Sequence, residues 1–84
     1  MKKPIVPTVH LNGTSKERLL EDLRKAHDAI EQARYAIPVP HGRDYYPQGE
    51  DALGKALDQC LKQIKSLEAM ADQFAYIIAK VDGQ

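Results

Sequence analysis

The chain has no tryptophan, a single phenylalanine, a single cysteine and no net charge, and each shortage closes off a class of answer. Cys60 has no second cysteine with which to form a disulfide inside the chain. Its place among apolar residues suits a reducing compartment and a thiol that behaves as a small hydrophobe rather than a nucleophile. Twelve lysines and arginines balance twelve aspartates and glutamates. That balance argues against a duplex nucleic-acid partner, whose affinity would rest on a basic face. No apolar run approaches the roughly 20 residues that span a bilayer. Met-Lys-Lys followed by Pro4 and Pro7 is no signal peptide, so a soluble cytoplasmic protein with no membrane partner is expected. His10, His27 and His41 have no ligand spacing and no CxxC or HExxH companion, so neither a metal nor a cofactor is expected. No nucleophile and base are suggested together, which points away from an enzyme.

What the chain does have is two apolar ladders. The first runs Leu19, Leu23, Ala26, Ile30, Ala33, Ile37, and the second Leu53, Leu57, Cys60, Ile64, Leu67, Ala71, Phe74, Ile78, Val81. Steps alternating between four and three put residues on one face only in a helix. The expectation is an all-α fold: a two-helix antiparallel hairpin with an extended N-terminal arm, forming a single domain over 1–84. The arm covers 1–13, the first helix 15–37, a loop 38–49 and the second helix 50–81.

Local signals set those bounds. Pro4 and Pro7 block helix in the arm, while Ile5, Val6, Val9 and Leu11 give it something to bury. Asn12-Gly13 turns the chain, and Thr14-Ser15-Lys16-Glu17 reads as a capping box with Thr14 as the cap. Glu21 and Lys25 form a well-spaced pair on the outer face. Pro38 disfavours helical geometry at Ile37, and Gly83 supplies the final stop.

At 1.5 Å per residue the second helix is about 45 Å long against about 34 Å for the first. Antiparallel pairing directly about the loop places Ile37 opposite Leu53 and Leu19 near Ala71. The last turns of the second helix then overhang. Phe74, Ile77, Ile78 and Val81 are expected there as an oligomer interface, because so apolar an end does not face water. A hairpin this small has little interior of its own, which also favours an oligomeric helical bundle.

The connection Pro38 to Gly49 is longer than two antiparallel helices need, and long connections in compact domains tend to be functional. It holds Tyr45 and Tyr46, two of the chain's five aromatics. Arg43 offers a planar fork for phosphate, the tyrosines offer faces for a base, and Asp44 could accept from a ribose hydroxyl, with His41 beside them. The plainer reading is a cap in which the tyrosines close the hairpin core and Asp44 pairs with Arg43. Gly42 and Gly49 read as positive-φ positions. Asn12 and Thr14, at the start of the first helix, lie about 30 Å from this loop in one hairpin. They join it only across a protomer boundary, where free backbone N–H groups would complete an anion site.

His10-Leu-Asn-Gly-Thr-Ser15 ahead of an amphipathic helix, and His41-Gly-Arg-Asp-Tyr-Tyr-Pro-Gln-Gly49 ahead of a longer one, resemble short proteins encoded by tailed bacteriophages and prophages. In size and build the chain is also similar to phage anti-defence sponges, oligomers that sequester cyclic-nucleotide or cyclic ADP-ribose immune signals. The resemblance implies a non-enzymatic homo-oligomer in the cytoplasm of an infected bacterium, holding a small phosphorylated nucleotide through Arg43 and a stacked tyrosine. The alternative is a protein-binding adaptor, or an inhibitor of a host protein, acting through the apolar end of the second helix.

Overall fold

The computed structural model describes residues 3–84, so the first two residues of the expected arm lie outside the described residues. Three helices follow the arm: α1 over Lys16–Ala36, a single turn α2 over Gly42–Tyr45, and α3 over Ala52–Asp82. No residue among those described forms a strand.

The cap of α1 lies one residue later than the spacing implied. Ser15 is the extended residue, with φ −61° and ψ 152°, and its hydroxyl accepts from the Arg18 N–H at 3.2 Å. Arg18 rather than Glu17 therefore occupies the third helical position, so the reciprocal half of a capping box does not form. The other end follows the proline: Ile37 takes ψ 123° ahead of Pro38, and the helix stops at Ala36. Glu21 and Lys25 pair on the outer face at 3.2 Å, as their spacing predicts.

The connection is not one loop. After α2 the chain makes a 3-10 turn over Tyr46–Gln48 and reaches Gly49, whose φ of 115° suits glycine. Gly42 does not share that role, since it is the first residue of α2 and its φ is not positive.

The largest departure concerns register. Lys16 Nζ donates to the Gln84 carbonyl at 3.2 Å, Arg34 Nη1 lies 3.5 Å from Glu68 Oε1, and the Cys60 thiol lies 3.6 Å from the Pro38 carbonyl. The start of α1 thus meets the end of α3, and the end of α1 meets its middle. Relative to the expected opposition of Ile37 and Leu53, α1 sits some ten residues further along α3, about 15 Å. The cause is the path after α1. Pro38 to His41 is not helical, and Pro38, Pro40 and Tyr45 line one hollow with Ala56, Gln59, Cys60 and Gln63. The connection runs beside the first turns of α3 before entering that helix. Its length, which looked superfluous, is used up in covering those turns.

The expected overhang is consequently at the other end. Val81 is fully buried, and Phe74, Ile77 and Ile78 are half-buried. The Gln84 side chain secures this end to the arm: its Nε2 donates to the Pro7 carbonyl and its Oε1 accepts from the Val9 N–H, both at 2.7 Å. The rest of the arm is less engaged than its composition implied, with Ile5 and Leu11 exposed and Val6 and Val9 half-buried.

Among the described residues the buried side chains are Leu20, Cys60, Ala71 and Val81. The last three lie on the second ladder. Leu20 lies one position off the first, whose Leu19, Leu23, Ala26 and Ile30 are half-buried, because the face of α1 turned to α3 is centred between two rows. Arg34 closes one flank of the contact. It donates to Glu31 at 2.7 Å and stacks 4.8 Å over the Tyr35 ring, and the hydrogen bond to Glu31 is the main cause holding its pKa above the ordinary arginine value.

Candidate functional site

The connection divides its candidate residues between two sides. Tyr45 is half-buried and lines the hollow with Pro38, Pro40 and Cys60, where a ring covers the start of the core. Tyr46 is 77% exposed. It lines a separate open groove of about 480 Å³ with Gly42, Arg43, Gly49, Glu50 and Leu53. The one-turn α2 creates this split, since consecutive residues on a helix do not share a face. The binding reading allows either tyrosine to stack and the plainer reading makes both of them caps; in the structure Tyr45 covers the core and Tyr46 faces solvent.

Arg43 is exposed and enters no ion pair among the described residues, so its guanidinium fork is available to an anion. The expected partner, Asp44, is exposed and does not pair with it. Neither Asp44 nor His41 lines the groove. His41 precedes α2 and its side chain makes no capping hydrogen bond. Asn12 and Thr14 stand at the far end of α3, about 45 Å away by helix length, so a single chain does not bring them to Arg43. At that end the Gly13 N–H donates to the His10 carbonyl at 3.2 Å, and the His10 ring lies so close that a Cβ on Gly13 would come within 2.7 Å of Nε2.

Two groove residues escaped the sequence reading. Glu50 and Leu53 belong to the entry of α3, and with Tyr46 they follow a spacing of four and then three across the Gly49 turn. Of the three, Leu53 stands on the second ladder and Tyr46 in the connection, and Glu50 in neither. Glu50 changes the electrostatics, because it sets one carboxylate beside the single guanidinium of the groove and leaves the lining neutral.

No helix of the described residues is long and apolar enough to cross a membrane. Compared with protein-family models, curated proteins and solved structures, the chain matches none.

Proposed function

We propose that this chain is a non-enzymatic binding protein, an antiparallel hairpin that works as an oligomer and holds a small nucleotide-type ligand in the groove of Arg43, Tyr46, Glu50 and Leu53. The observation that carries the reading is the unpaired Arg43 guanidinium in one groove with the exposed Tyr46 ring and the apolar Leu53. A mostly apolar groove with a few directed polar groups, of several hundred Å³, is the usual form of a small-molecule site. In this reading Arg43 takes the phosphate through a charge-assisted contact, Tyr46 stacks on the base and Glu50 accepts from ribose hydroxyls. Glu50 thereby takes the role first given to Asp44. It also disfavours inorganic phosphate alone, whose negative charge would lie beside the Glu50 carboxylate with no base to stack on Tyr46. The ligand class that the phage resemblance implies, a cyclic nucleotide or cyclic ADP-ribose immune signal, carries all three groups. Sequestration in an infected cell is the corresponding task.

The protein-binding alternative rested on uncovered last turns of α3, and the burial of Val81 removes its main support. Thermal shift and calorimetry against cyclic dinucleotides and cyclic ADP-ribose provide the test, since a ligand that binds only the folded state raises the melting temperature. Arg43→Ala and Tyr46→Ala are expected to weaken binding about tenfold or more each with the melting temperature of the free protein unchanged. Tyr45→Ala is expected to lower that temperature. Binding that survives both Arg43→Ala and Tyr46→Ala would sink the proposal.

A further inference from the structure

The first turns of α3 carry an apolar strip whose Leu57 and Leu61 stay open to solvent among the described residues. Leu57 is 42% exposed and Leu61 50%, with Ile64 half-buried beyond them. Their spacing of four and then three aligns them on one face. α1 reaches only the Ile64 end of the strip and leaves Leu57 and Leu61 open, because the chain has already left that helix where Pro38 meets Cys60. The connection lies on the Ala56, Gln59 and Gln63 side. One edge of the strip carries Asp58 and Lys65, seven residues and so two turns apart, both exposed and neither in an ion pair among the described residues.

We infer that two copies of this chain associate antiparallel through the first half of α3, interleaving Leu57, Leu61 and Ile64 and pairing Asp58 of each copy with Lys65 of the other. The charges identify the occupant. The midpoint between Asp58 and Lys65 falls beside Leu61, so a two-fold axis there sets each carboxylate opposite the other copy's ammonium, and the contact is made twice. A parallel pairing would put this edge of the two copies on opposite sides of the seam, where Asp58 and Lys65 do not meet. Opposite charges flanking an apolar seam are what fix orientation in paired helices. The same register brings Asp72 of one copy towards Asp51 of the other, a like-charge approach that confines the contact to the central turns. A contact confined to these turns is small, so the dimer is expected to be transient rather than permanent. The inference rests on the oligomer of the proposed function and not on its ligand: a wild-type monomer overturns both the dimer and that oligomer, whereas loss of nucleotide binding leaves the dimer standing.

Sedimentation equilibrium tests it. At about 100 µM, well above a micromolar dissociation constant, the wild-type chain is expected to show twice its own mass. Asp58→Lys and Lys65→Asp are each expected to weaken association about tenfold or more, and the double variant to restore it, since the swap recreates both pairs with reversed sign. Leu61→Glu is expected to leave a monomer with unchanged helical dichroism. A wild-type monomer at that concentration overturns the inference. So does a dimer indifferent to Leu61→Glu and to both single charge changes, which would place association elsewhere, for instance on the half-open row of Leu19, Leu23 and Ile30. Failure of the double variant to recover the dimer would overturn the antiparallel register.

Discussion

The two halves of α3 carry the same ladder and lead different lives. From Ile64 onward the helix lies against α1 and, at its end, the arm; there Ala71 is almost inaccessible and Val81 wholly so. From Ala52 to Gln63 it has the connection alone, and Leu57 and Leu61 remain open to solvent. Periodicity reports which residues share a face, but it is silent on which neighbour that face meets. The far half makes the fold, and the near half carries the groove and the free apolar strip.

The largest contrast between the halves comes from placing a charge on each. Val81→Asp buries a carboxylate with no partner and is expected to cost several kcal/mol, enough to abolish the cooperative melt of so small a core. Leu57→Asp, on an exposed site, is expected to cost about 1 kcal/mol or less in the dissociated chain. Dichroism melts at low concentration separate the two. A folded Val81→Asp variant would mean that the far half is not the core.

The helices, the proline stop at Ile37 and the outer Glu21–Lys25 pair were legible in the sequence because each is a local matter of spacing and dihedral preference. The register was not. It depends on where the chain runs after Pro38, and a segment without helical periodicity leaves no sign that it lies along a neighbour rather than turning back at once. The site shared that blindness. Arg43 and Tyr46 stood out by residue type, whereas Glu50 joined them because the Gly49 turn folds the entry of α3 against α2. Asn12 and Thr14 were drawn in by the chemistry of a helix start alone.

The connection's path can itself be broken at one residue. Gly49 combines φ 115° with ψ 170°, a region that side chains other than glycine's scarcely enter. A Cβ there would meet no neighbour within 4 Å, so any penalty is backbone strain and not crowding. Gly49→Ala is expected to cost about 1–3 kcal/mol and to reduce the protection of the Ala52 N–H, which donates to the Gly49 carbonyl at 3.3 Å. Hydrogen exchange would locate the loss. Unchanged protection of that amide would show that the turn re-forms with another geometry.

The smallest effect has the opposite sign and sharpens the comparison most. Gly54 lies within α3, two residues from its start, with nothing within 4 Å of the position a Cβ would take. Alanine there removes the backbone freedom that glycine gives the unfolded chain and makes no clash, so Gly54→Ala is expected to stabilise the dissociated protein by about 0.5–1 kcal/mol. The gain should raise the melting temperature at low concentration, where the near half has no partner. In the antiparallel dimer Gly54 lies towards the outer end of the strip, outside the Leu57 to Ile64 contact, and the stabilisation should persist as concentration rises. A gain at low concentration that vanishes on association would mean that a second backbone approaches Gly54 closely. The contact between copies would then extend beyond the central turns, to the entry of α3.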